Sequence, residues 1–182
     1  MNDPNASPGE EQLRPAVLLV LDVDGTISRI YRREEYAEHH DDPDWYEWLP
    51  LDEAVVDAID ALAQRPGVQT AWLTSWAPNQ DYLDHFIDGP RLRGRLYGDC
   101  VPWLDSSGRG WRFRSLLSYV EQRRPRALIW ADDRAPRNIA PTLDRRLGIP
   151  HLVLRPHVNV GLTMNHVGRI RAFIDEYAFD PA

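Results

Sequence analysis

The stretch PAVLLVLDVDGTIS, residues 15 to 28, constrains this chain more than any other, because of where its apolar run stops. A continuous apolar run from 16 to 21, Ala followed by Val and Leu, suits a strand covered on both faces, as in a parallel sheet sandwiched by helices. It ends in Asp22 and Asp24 with a single Val23 between them. Burying a carboxylate is costly unless something compensates it. Either the acids lie in water beyond the strand, or they surround a cation and do chemistry.

The rest of the chain repeats the strand-then-helix rhythm. LDEAVVDAIDALAQRPG places Val55, Ile59 and Leu62 at helical spacing, with Asp52 as a cap and Pro66-Gly67 as a stop. VQTAWL (68 to 73) reads as a second strand, and PNQDYLDHFIDG as a short helix capped by Asn79 and stopped by Gly89. A weaker strand is expected over 96 to 101. Phe113, Leu116, Leu117 and Val120 mark one helix face, ALIWA (127 to 131) and HLVL (151 to 154) two further strands. A last helix opens near Thr163 and keeps Val167, Ile170, Phe173, Ile174 and Tyr177 on one side. This alternation predicts an α/β fold, a three-layer Rossmann-like parallel sheet of about five strands with helices on both faces.

At 182 residues the chain fits one such domain, expected over 15–182 behind a flexible leader at 1–14. No apolar run nears the ~18 residues that cross a bilayer, and the polar leader lacks a signal-peptide core, so a soluble protein is expected, with a reducing cytoplasm the default compartment for a chain with one cysteine. The net charge of −7 argues against a nonspecific nucleic-acid binder, although a local basic patch remains compatible with it. All 21 basic residues are Arg, which excludes lysine Schiff-base chemistry and leaves every cationic role to guanidinium. Cys100 stands alone, excluding an intramolecular disulfide and thiolate zinc sites.

In a parallel sheet, ligands collect beyond the carboxyl ends of the strands. The polar residues that interrupt the pattern fall there: Asp22 and Asp24 after the first strand, Thr74 and Ser75 after VQTAWL, Asp132 and Asp133 after ALIWA. Residues i and i+2 of extended chain point the same way, so Asp22 and Asp24 can face one substrate atom. Gly25 permits a backbone conformation closed to other residues, and Thr26 can satisfy backbone donors at the turn. Adjacent carboxylates repel unless a cation sits between them. Four hard oxygen donors, Asp22, Asp24, Asp132 and Asp133, with no His or Cys among them, suit Mg2+ better than zinc. With charge so offset, one carboxylate can attack a phosphoryl group and form an aspartyl-phosphate, while the other moves the proton. Thr74 supplies a hydroxyl, and Arg112 or Arg114 the guanidinium, for the phosphoryl oxygens.

LDVDGT, WLTS and IWADD resemble motifs one, two and four of the haloacid dehalogenase-like (HAD) superfamily, in order, over about residues 16 to 155. The resemblance implies that Asp22 is the nucleophile, Asp24 the general acid/base and a metal ligand through its backbone carbonyl, Thr74 the phosphate-binding hydroxyl and Asp132 the magnesium carboxylate, a role Asp133 can share. An acid at 24 implies phosphate ester hydrolysis and not dehalogenation. The departure is motif three, where the family uses Lys. GWRFRSLL stands in its place, so Arg112 or Arg114 must substitute, with Arg112 favoured because it lies nearer the helix start.

Inserts at about 27–50 and 76–111 are too short for a cap domain, which predicts a small flap and an open site suited to a large substrate or to closure by a second subunit in a homo-oligomer. Trp45, Trp48, Trp76 and Trp103 either pack that flap or stack on a base, packing being the commoner use. The DVDGT and DDR pieces also resemble polynucleotide 3′-phosphatases. With the clusters Arg91, Arg93, Arg95 and Arg123, Arg124, Arg126, they make a nucleic-acid 3′-phosphate a second substrate class beside small phosphorylated molecules. His39, His40, Asp41 and Asp42 read as a solvated loop, His151, His157 and His166 as surface or capping residues, and Thr163 as a helix cap. A phosphatase-like module that binds magnesium or a partner without turnover is the minority alternative.

Overall fold

The computed structural model of the protein describes residues 14–30, 47, 49–104 and 110–178. Five parallel strands form one sheet: β1 (Val17–Leu21), β2 (Val68–Trp72), β3 (Asp99–Cys100), β4 (Ala127–Ala131) and β5 (His151–Leu154), in the order β3-β2-β1-β4-β5. Among the described residues five helices accompany them: α1 (Glu53–Ala63), α2 (Gln80–Asp88) after a 3-10 turn at Ala77–Asn79, α3 (Trp111–Arg123), α4 (Ala140–Leu147) and α5 (Met164–Tyr177).

The alternation of side chains along β1 divides the core into two layers. Val17, Leu19 and Leu21 pack with Val55, Ile59 and Leu62 of α1, Leu83 and Phe86 of α2, and Val167, Ile170 and Ile174 of α5. Leu18 and Val20 face the opposite way, against Leu116, Leu117 and Val120 of α3 and Leu143 of α4. All five β1 side chains are fully buried. At roughly 1.5–3 kcal/mol for each buried Val or Leu, this strand is a principal contributor to the fold. The unbroken apolar run from which a two-faced strand was expected is that strand.

Asp52 caps α1, its carboxylate accepting from Val55 N–H at 3.2 Å. Thr163 caps α5, and its own N–H donates to His166 Nδ1 at 3.1 Å. Two elements differ from expectation. The strand expected over 96–101 pairs only at Asp99–Cys100, because Leu96 takes a positive φ of 55° and Trp72 Nε1 donates to its carbonyl, turning the backbone out of the sheet. The helix α4 was not expected at all. Its sequence APTLDRRL buries one side chain, Leu143, and carries Pro in its first turn, so it offers no apolar periodicity to read.

Of the two inserts, the described ends of the first meet where Ser28 bridges Leu51 antiparallel. Trp45, Trp48, His39, His40, Asp41, Asp42 and nearly all of the expected leader lie outside the described residues. Among the described residues no helix is long and apolar enough to cross a membrane.

Candidate active site

The sheet register builds the centre of the site. β1 runs outward to β2 and β3 on one side, then the chain returns to lay β4 and β5 on the other, so the crevice between β1 and β4 is where strand order reverses. Leu21 is level with Ala131 on one side and Trp72 on the other. The next residues, Asp22, Asp132 and Leu73, are therefore level too, and Asp22 N–H donates to Ala131 O at 3.0 Å. Asp22 is 1% exposed and Asp132 not at all. One oxygen from each of Asp22, Asp132 and Asp133 lies within 4.8 Å of the others.

Two of these acids are met by one guanidinium. Arg112, at the start of α3, places Nη1 2.9 Å from Asp22 Oδ2 and 3.2 Å from Asp132 Oδ2, and also 3.2 Å from Leu73 O. Arg114 is exposed on the same helix. Of the two arginines, the structure brings Arg112 to the carboxylates. The guanidinium does not neutralise three acids, and burial together with the charge of Asp132 pushes the Asp22 carboxyl well above the ordinary carboxylate value. Asp133 is raised as well, by partial burial first and by Asp132 second.

Local backbone chemistry fixes the other groups. Gly25 has φ +72°, and a Cβ there would lie 2.8 Å from Asp133 Cγ, so both its conformation and the approach of Asp133 require glycine. Thr26 is buried and its hydroxyl accepts from Asp133 N–H at 3.2 Å, which ties the turn after β1 to the turn after β4. Asp132 Oδ1 accepts from Arg134 N–H at 2.7 Å. Thr74 is fully buried beyond β2, its hydroxyl accepting from Trp76 N–H at 3.4 Å, whereas Ser75 is exposed.

Asp24 departs from the expectation of two acids facing one atom. Its carboxylate is not among the three clustered oxygens; it turns to Trp76, whose Nε1 donates to Oδ2 at 2.9 Å. Burial raises the Asp24 carboxyl, opposed chiefly by that hydrogen bond. Trp76 is itself buried, edge-on to Phe86 with centroids 5.4 Å apart, so it packs and donates and is not a free stacking platform. Trp103 likewise packs on Trp111 at 4.2 Å while its Nε1 holds Thr74 O at 3.0 Å. Both indoles orient site residues, a duty that sequence spacing does not reveal.

The arginine groups read from sequence are spent elsewhere in part. Arg95 pairs with Glu53 and Asp57, Arg91 donates to Leu49 O, and Arg123 pairs with Asp99.

The donor set fits a hard divalent cation. Three carboxylates converge, and Asp133 Oδ1 is buried without a hydrogen-bond partner, an arrangement that a cation would satisfy. No curated protein and no solved structure matches the chain. Residues 18–167 match the family described as the HAD domain in Swiss Army Knife RNA repair proteins. That span holds every strand and the whole carboxylate cluster except the first residue of β1, and the chain belongs to this family of HAD-like hydrolase domains.

Proposed function

We propose that this domain is a magnesium-dependent phosphate monoester hydrolase that works through an aspartyl-phosphate on Asp22, and that its substrate is a phosphorylated RNA end. The observation that carries the catalytic part is Arg112 bridging Asp22 and Asp132 within a group of three converging carboxylates. The RNA part is supported by the family, whose members are described as domains of RNA repair proteins.

The side chains of Asp22, Asp132 and Asp133, with the backbone carbonyl of Asp24, would hold the magnesium. Bound there, the ion would offset carboxylate repulsion and withdraw charge from the phosphoryl oxygens. Asp22 supplies the attacking oxygen: a bond forms from its carboxylate to phosphorus as the ester P–O bond breaks. Asp24, kept inclined to hold a proton by burial and aimed by Trp76, donates it to the departing oxygen. Water then attacks phosphorus, Asp24 takes its proton, and the Asp22 carboxylate is restored with release of phosphate. Arg112 and the Thr74 hydroxyl bind the phosphoryl oxygens whose charge grows along the path.

The test is a substrate panel with magnesium: a 3′-phosphorylated oligoribonucleotide, a 5′-phosphorylated one, nucleoside monophosphates and a generic aryl phosphate. The proposal expects phosphate release fastest from the 3′-phosphorylated RNA and abolished by Asp22→Asn. Preference for nucleoside monophosphates would defeat the RNA-end assignment, and release from none of them would defeat the hydrolase assignment.

A further inference from the structure

A concavity of about 400 Å³ is lined by Ile27, Leu51, Leu162 and Val160, with Arg29 and Asn159 also on its lining. This falls within the size range of small-molecule sites, which combine apolar walls with a few polar groups that fix orientation. Its walls come from the segments that close over the nucleophile's turn. Leu162 N–H donates to Thr26 O at 2.8 Å, Ile30 N–H donates to Val158 O at 2.9 Å, and the Val158 methyl lies 3.1 Å from where a Cβ of Gly25 would be. The antiparallel bridge of Ser28 to Leu51 brings in the opposite wall. The segments that wall the cleft are therefore bonded to Gly25-Thr26, the turn that follows Asp22.

The polar groups of the cleft divide into occupied and available. Asp52 is engaged as the cap of α1 and Thr163 as the cap of α5. Arg29 and Asn159 are exposed, and among the described residues neither side chain has a hydrogen-bond or ion partner. Val160 leaves 54% of its surface exposed at the mouth, an apolar side chain with nothing packed over it.

Resting on the hydrolase reading above, we propose that this cleft is the subsite for the terminal nucleoside of the RNA substrate, the unit that carries the scissile phosphate. A nucleobase is flat and apolar on its faces and polar on its edge. The aliphatic walls suit the faces, the Asn159 amide can donate to and accept from the edge, and Arg29 meets the backbone phosphate of the next nucleotide. Placing the base here sets it against the segments that close over the turn following Asp22. It also suits a chain of net charge −7, in which Arg29 is the one guanidinium among the described residues that line the cleft.

The test measures binding and selectivity on the full chain. In an Asp22→Asn background, a fluorescent 3′-phosphorylated oligoribonucleotide is titrated against the unaltered cleft, against Arg29→Ala with Asn159→Ala, and against Val160→Trp, which fills the mouth. Both cleft variants should weaken binding at least tenfold. In the Asp22 chain they should lower the ratio of kcat/KM on the oligonucleotide to that on a generic aryl phosphate by a similar factor. Asn159→Asp, which preserves size, guards against misfolding and should shift preference among oligonucleotides differing only in the terminal base. Oligonucleotide affinity and selectivity unmoved by all three variants would overturn the subsite. Because binding is read without the nucleophile, absence of turnover in the unaltered chain would strike the hydrolase reading and not the cleft.

Discussion

One aspartate on the outer strand and three at the carboxyl edge belong to the same sheet, and their surroundings differ. Asp99, on the outer strand β3, is met by Gln69 at 3.1 Å, by the Tyr119 hydroxyl at 3.0 Å and by Arg123, so one carboxylate has three donors. Tyr119 reflects that engagement: burial and its bond to Asp99 push the phenol up to about 12. At the tips of β1 and β4, two of three clustered carboxylates share the Arg112 guanidinium, and one oxygen of the third, Asp133, is buried without a hydrogen-bond partner. An acid whose donors are complete is part of the scaffold. Acids gathered without enough donors mark a place prepared for a ligand.

The difference makes graded predictions. The largest concerns the proposed nucleophile: Asp22→Asn should reduce kcat by on the order of 10³-fold or more with the fold intact by circular dichroism. Retained activity would place Asp22 with the scaffold acids. Arg112→Ala should cost about 10²–10³-fold in kcat/KM, since it removes a donor aimed at developing charge, while Arg114→Ala costs little by the same assay.

Magnesium gives the third comparison. In the metal-free chain the carboxyls of Asp22, Asp24 and Asp133 are raised, so the folded state keeps protons that the unfolded state has released. Its stability therefore falls as pH rises from the ordinary carboxylate value through the raised ones. Magnesium competes with those protons, and its stabilising effect should grow across the same window. At 100 times Kd the gain is about 2.7 kcal/mol, read as a rise in Tm at pH 7.5 that shrinks at pH 5. An equal rise at both pH values would contradict it.

Trp76→Phe should lower kcat about tenfold by releasing Asp24 from its donor. Loss of a bond that lowers the Asp24 pKa should also move the alkaline limb of the kcat/KM profile, where Asp24 loses its proton, to higher pH. The smallest effect is expected on the scaffold side: Asp99→Asn should cost ~0–1 kcal/mol of stability and leave kcat within about twofold, as for an exposed pair.

What the sequence revealed follows from what each interaction leaves in a linear pattern. The five strands and the clustering of Asp22 with Asp132 were legible because apolar runs fix the strands, and parallel register then fixes what lies one residue beyond them. Gly25 and Thr26 were legible because positive φ and turn bonding restrict residue type. Helix α4 was hidden, since one buried leucine makes no period. The Trp76 bond to Asp24 was hidden for another reason: an indole N–H adds no periodic signal, and its reach across the strand tips exists only after folding. The preference for Arg112 over Arg114 rests, in the sequence, on its place near the helix start and not on periodicity, because both flank the apolar face of α3; the fold brings Arg112 to the carboxylates.

The central claim is that Asp22 takes up the phosphoryl group. Rapid acid quenching of the chain with magnesium and a 3′-phosphorylated oligoribonucleotide, followed by peptide mass spectrometry, tests it directly. The account predicts a transient phosphoryl adduct on the peptide carrying Asp22, absent from Asp22→Asn. Phosphate release with the adduct on another residue, or with none on Asp22 at any quench time, would contradict it.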